Sequence, residues 1–236
     1  MQALSSTAFL DLWDRGSRLH PLDRALLAAS VALAGSSADT LADWPLGKRN
    51  KALLQLHCGS FGSSLRGWAA CSGCGEKMEF EMDGQKLLNE NADEPLSDST
   101  VVVKSHAFRL PNSRDLSLAA RATDSRAAAI SLLECCSLDA TPLADMSVEE
   151  MEEVGEQMAL ADPLAELRLT LQCPACHEQR VETLDINGFV WAEIEARARR
   201  LLWEVHTLAY AYGWSEGEAL SLSAARRARY LEMVRA

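Results

Sequence analysis

Positive charge is scarce in this chain. Its 236 residues carry 23 Lys and Arg against 34 Asp and Glu, a formal net charge of -11. Generic phosphate binding needs a basic surface, so this balance argues against nucleic acid as a partner. Long apolar runs are also missing. Stretches such as Arg24 to Leu33 fall well short of the roughly 20 apolar residues that span a bilayer. The N-terminus has no charged region leading into a cleavage site. Together these absences predict no membrane association and a cytoplasmic location. The chain likewise has no glycine-rich phosphate loop and no nucleophile elbow. It has no His-x-Glu partnered with Pro-Cys-x-x-Cys, so the zinc deaminase pattern fails. With no nucleophile–base constellation, the sequence predicts no enzyme. Low-complexity tracts are absent too. What remains, 48% hydrophobic, is ample for a packed core in one large or two small domains.

The chain does have two Cys-x-x-Cys pairs, Cys71-Ser72-Gly73-Cys74 and Cys173-Pro174-Ala175-Cys176. Two thiolates at this spacing can hold one metal ion from a tight turn, and two such turns complete a tetrahedron. Cys71, Cys74, Cys173 and Cys176 are therefore the predicted ligands of one structural zinc, although compact zinc ribbons space their knuckles more closely. The alternative is two unrelated turns with free or paired thiols. Four cysteines would close the metal's shell, whereas a catalytic zinc keeps an open position. His177 could replace one thiolate but reads better as a solvent-facing knuckle residue. Seven cysteines, an odd number, without an export signal read as cytosolic thiols plus a metal site. Cys135 and Cys136 read as core filler, and Cys58 stands alone.

The predicted fold is α+β: a small β-rich zinc ribbon whose knuckles come from distant segments, surrounded by helices and ending in a helical hairpin. Three regions are expected, 1–62 helical, 63–186 zinc-ribbon β with inserted helices, and 187–236 helical. Residues 8–34 read as helical, with Pro21 at a first-turn position, and a second helix covers 46–58. Gly59, Gly62 and Gly67 punctuate the entry to the first knuckle. Residues 77–82 and 101–110 read as strands around a polar loop, Asn89 to Thr100. Residues 115–137 read as mostly helical, and 147–160 as an acidic helix with a Ser147/Glu150 capping box. Strands are expected at 165–172 and 179–184, flanking the second knuckle. Val190, Ile194, Ala198, Leu201, Val205, Leu208 and Tyr212 then mark a long amphipathic helix ending at Gly213. His206 reads as a packing residue on it. Ser215 with Glu218 starts a short helix, and a last helix, from about Ala224 to Val234, carries Arg226, Arg227 and Arg229.

Three closing helices raise a helix-turn-helix reading. Seven arginines and six glutamates in 190–236 make that zone nearly neutral, and DNA affinity rests on phosphate neutralisation. A zinc-ribbon nucleic-acid regulator is therefore kept only as an alternative.

Several stretches resemble one family: Leu12-Trp13-Asp14-Arg15-Gly16 with Leu19 to Leu27; Asp43-Trp44-Pro45-Leu46-Gly47; Gly67-Trp68-Ala69-Ala70-Cys71 with Cys74; Phe108-Arg109-Leu110-Pro111-Asn112-Ser113-Arg114-Asp115-Leu116; Cys173 to Cys176; and Trp191 to Glu195 through Glu204 to Glu216. Over nearly its whole length the chain looks like the T-even-phage-type baseplate hub assembly chaperones encoded in contractile-tail and phage-tail-like injection-system clusters. The resemblance implies an assembly factor whose client is a baseplate hub, spike or other tail protein. It brings no catalytic residues. A structural subunit retained in the baseplate is the runner-up. Trp203, Tyr210 and Trp214 are the expected grip on the client, or on a second copy in a homo-oligomer, with Arg226, Arg227 and Arg229 as a charged rim.

Overall fold

A computed structural model describes residues 4–91, 99–139, 143 and 146–235. Residues 92–98 of the expected polar loop lie outside the described residues.

The helical zone expected at 8–34 is two helices, α1 (Ser6–Gly16) and α2 (Pro21–Ala32). His20 makes the break. It takes an extended backbone, its Nδ1 accepts from the Leu22 N–H at 3.3 Å, and Pro21 opens the next helix with φ already set. Arg24 ties the corner by donating to the Gly16 and Ser17 carbonyls at 3.0 and 2.8 Å. A short α3 (Ala38–Ala42) and then α4 (Leu46–Phe61) follow.

The first hairpin is β1 (Ser64–Ala70) with β2 (Lys77–Asp83), paired antiparallel from Ser64↔Asp83 to Ala70↔Lys77. Beyond it come α5 (Gly84–Glu90), a second hairpin of β3 (Thr100–Val103) and β4 (His106–Arg109), and helices α6 (Ser113–Ala119), α7 (Ser125–Cys136) and α8 (Val148–Ala161). The third hairpin is β5 (Leu167–Gln172) with β6 (Gln179–Leu184). The chain closes with α9 (Ile186–Tyr212), α10 (Glu216–Ser221) and α11 (Ala224–Arg235). Among the described residues the architecture is mixed: helices with three small antiparallel sheets.

Packing is divided among four clusters. The largest gathers Phe9 and Leu12 of α1, Leu27 of α2, Leu53 and Leu56 of α4, and Ile194 and Leu201 of α9. A second lies between β3, β4, α7 and α8, on Val101, Val103, Phe108, Leu133, Val154 and Met158. A third joins Leu208, Ala219 and Leu231 across the last three helices. The smallest holds Cys71, Met78 and Cys173, where the first and third hairpins meet.

The stretches 43–50 and 108–116 meet at the seam between the first two clusters. The Leu46 N–H donates to the Pro111 carbonyl at 3.1 Å. Arg49 is buried and donates to Ser113 Oγ at 2.8 Å and to Asn50 Oδ1. Asn50 donates in turn to the Leu164 carbonyl at 2.8 Å, and the Gly47 N–H donates to Asp162 at 2.8 Å. Arg114 reaches across to Asp43 and Asp39 at 2.7 and 2.6 Å. Trp191 of α9 presses on Gly16, with Arg24 over its ring at 5.2 Å. These residues are packing devices: charged and small side chains that close helix junctions.

Candidate metal centre

Each Cys-x-x-Cys turn sits at the tip of a hairpin, the first between β1 and β2, the second between β5 and β6. The two tips are built alike. The first cysteine's N–H donates to the carbonyl of a glutamate five residues on, Cys71 to Glu76 at 2.8 Å and Cys173 to Glu178 at 3.0 Å. Its carbonyl accepts from the residue after the second cysteine, Gly75 at 2.7 Å and His177 at 3.0 Å. That residue is left-handed in both, φ 78° at Gly75 and 58° at His177. Such a tip turns the remaining N–H groups inward, toward the sulfurs.

The tips face each other and bring all four thiols together. Cys71 Sγ lies 3.7 Å from Cys176 Sγ, and Cys74 Sγ lies 3.5 Å from Cys173 and 3.6 Å from Cys176. All four sulfurs lie within 4.8 Å of one another. Sulfurs held about 2.3 Å from a central ion at tetrahedral corners stand about 3.8 Å apart, so the spacing fits one metal ion. It is far too long for a disulfide, whose sulfurs are about 2.05 Å apart, and all seven cysteines are free. Cys71 and Cys173 are buried against Met78, Ala69 and Leu171, while Cys74 and Cys176 face outward. Four sulfurs at these separations make a tetrahedral donor set that could hold one metal ion.

Charge at the cluster favours a cation. The Cys176 N–H donating to Cys173 holds that thiol down to about 7. At Cys74 the Glu76 N–H pulls the same way, but the crowd of sulfurs from Cys173, Cys176 and Cys71 wins and pushes it up to about 12. Four thiolates cannot share this space without a positive ion between them. Arg180 stands nearby, raised first by Glu178, 2.8 Å away, and further by the Cys71 and Cys176 thiolates.

The expected partner residues are scattered. Trp203 and Tyr210 lie on the outer face of α9, 45% and 88% exposed. Trp214 does not join them: it stacks on Tyr212 at 5.0 Å and meets Tyr230 edge-on at 4.9 Å, turned onto this chain's own last helices. Arg226 and Arg229 are exposed. Arg227 is no rim residue. It is 1% exposed and donates to Glu204 at 2.9 Å, the Leu222 carbonyl and Ser6 Oγ. His206, expected to pack, is exposed. His177 faces solvent as expected, and Cys136 is core filler beside Asp115. Sequence reasoning missed the left-handed role of His177. Its signal was the alignment of Cys-x-x-Cys-His-Glu with Cys-x-x-Cys-Gly-Glu.

Fold and site define a mixed helix-and-hairpin protein with a four-cysteine cluster across two hairpin tips that could hold a metal ion. Comparison with protein-family models, curated proteins and solved structures finds no match to this chain. Among the described residues no helix is long and apolar enough to cross a membrane.

Proposed function

We propose that this chain is an assembly chaperone for the baseplate hub or tail of a contractile phage-tail-like injection system. In this reading it is a cytoplasmic protein that works by binding, stapled by one structural zinc. The observation that carries the reading is the closed four-sulfur cluster. All-cysteine tetrahedral ligation is the habit of structural zinc, which holds segments in place and keeps no position for substrate. A zinc ribbon assembled from two distant hairpins then serves as the clamp of a binding scaffold. The sequence resemblance supplies the pathway. The client, a hub, spike or other tail protein, meets the exposed aromatics Trp203 and Tyr210, with Arg226 and Arg229 at the edge. We assign the protein no catalytic turnover.

Co-purification from cells carrying the whole gene cluster is the test. The chaperone reading expects a tail component bound to this chain in extracts, and this chain absent from fractionated mature particles. Its presence in the particle would replace the chaperone with a structural baseplate subunit. Salt-dependent retention on DNA would instead favour a nucleic-acid regulator.

A further inference from the structure

The outer face of α9 has a pattern that neither the metal cluster nor the helix's own core explains. Six exposed residues, Ala192, Ala196, Arg199, Trp203, His206 and Tyr210, recur at steps of four, three, four, three and four. At 100° per residue they fall in a stripe within about 40° of one line, on the side opposite the buried Ile194, Ala198, Leu201 and Leu208. Alternating four and three is the heptad seam by which two helices interlock. On α9 this stripe carries two exposed aromatics, Trp203 and Tyr210, 45% and 88% exposed.

The order of sizes along the stripe is informative. Small residues lie at the N-terminal end and large ones at the C-terminal end. In a twofold-symmetric pair, residue i meets residue j and j meets i, so a helix crossing its copy at the axis runs antiparallel to it. Centring the axis at position 201 puts Ala192 against Tyr210, Ala196 against His206, and Arg199 against Trp203. Tyr210 and His206 then each face an alanine, and a guanidinium faces an indole, an attractive cation–π pair. A parallel pairing would set Trp203 on Trp203 and Ala196 on Ala196, leaving clashes and gaps.

Charge points the same way. Two copies of a chain at -11 repel over most of their surfaces. The carboxylate on one flank of this stripe is neutralised: Glu195 pairs with Arg199 at 2.8 Å. Glu195 also lies one position from His206 of the second copy in this register.

We infer that the outer stripe of α9 is a self-complementary seam through which two copies of this chain pair antiparallel. The seam spans positions 192–210, about 27 Å of helix. It sits at the small end of specific interfaces, so the dimer forms and dissociates in the micromolar range. It covers Trp203 and Tyr210, the aromatics assigned above to the client, so self-pairing shields that surface until a client displaces the copy. The pairing itself rests on the stripe alone and stands whether or not the client reading does.

The test is sedimentation of the pure metal-loaded chain over a concentration series from about 1 to 200 µM, needing no client. The parent is expected to pass from monomer to dimer across it. Trp203→Arg, which sets arginine against arginine twice, weakens the dimer at least tenfold. Adding Arg199→Trp to that variant swaps the pair and restores the dimer to within a fewfold of the parent. A parent that stays monomeric throughout, or a swap that fails to restore pairing, overturns the proposal. Both positions are substantially exposed, and an unchanged melting curve for each variant shows that the fold is intact. A second readout is independent of affinity. Ala196→Cys with His206→Cys gives a covalent dimer on mild oxidation, because the two positions are about 15 Å apart within one helix and adjacent only between copies. Failure of that cross-link, with both added thiols reactive, also counts against the antiparallel register.

Discussion

Arg227 shows how a single charged residue can be misread. On a last helix with Arg226 and Arg229 it looks like part of an exposed basic face. Its explanation lies 23 residues upstream, in Glu204, which is itself buried on α9. No periodicity links the two, because a buried ion pair is a property of two helices meeting. Arg227→Ala leaves Glu204 desolvated with only the exposed Arg200 to balance it. The expected loss is about 3–5 kcal/mol of folding stability, since removing one partner of a buried pair strands the other. Arg229→Ala, at an exposed position, is expected to stay within about 0.5 kcal/mol. Urea denaturation of both variants beside the parent checks the contrast. Glycines divide in the same way. A methyl carbon on Gly16 would fall 2.2 Å from Cη2 of Trp191, a ring fixed in the core, so Gly16→Ala must push α9 away from α1. On Gly155, within α8, it would meet nothing within 4 Å. Gly155→Ala is therefore expected to stabilise by about 0.5–1 kcal/mol, while Gly16→Ala lowers the melting temperature.

At the scale of elements, the legible parts were those with local chemistry. The capping boxes at Ser147 and Ser215 form as read, and α9 ends on Gly213 in the left-handed conformation. Strand β1 was illegible because Gly67 lies in it, where glycine signals a turn. The glycine is there because the Phe80 ring of the paired strand lies over it, within 2.4 Å of where a Cβ would be. Helix α5 was missed although Asp83 caps it, since nothing in 84–90 shows a strong apolar stripe. The single strand expected at 101–110 is a hairpin turning at Lys104, a left-handed residue with no glycine to announce it. Likewise 115–137 is two helices, restarted by the Asp124 cap. The knuckles were legible in sequence, and their equivalence at Gly75 and His177 shows only once the two turns are aligned. Gly75 has φ 78° and open space around it, so a side chain there is penalised by backbone conformation alone. Gly75→Ala should cost about 1–2 kcal/mol while retaining full metal stoichiometry. A loss of metal in that variant would mean that the turn places the sulfurs as well as the backbone.

The molecule as a whole is held by contacts distant in sequence, and the four-cysteine cluster is one of them. The four sulfurs join residues about 100 positions apart, between hairpins whose shared apolar cluster is only Cys71, Met78, Cys173 and two partly buried neighbours. So small a cluster cannot hold the hairpin tips together alone. Removing the ion leaves four crowded thiols, and the tips should separate while α1, α2, α4 and α9 keep their own core. Chelation is therefore expected to lower the melting temperature and expose the two hairpins to hydrogen exchange, with the α9 amides still protected. Cys173→Ser should do the same permanently and leave an aggregation-prone chain. Protons act in the same direction as chelators, because the ligands are thiolates. Cys173 is held down to about 7, below the ordinary thiol value. Alone it would stabilise the fold at high pH, but Cys74, pushed up to about 12, and Cys176, also raised, work the opposite way, so the bound ion sets the direction. Bound metal extends the protection to lower pH until protons displace the ion. Metal content and melting temperature measured together down a pH series should fall in step. Well under one zinc per chain at neutral pH, or melting unmoved by chelation, would show that the cluster does not staple the fold.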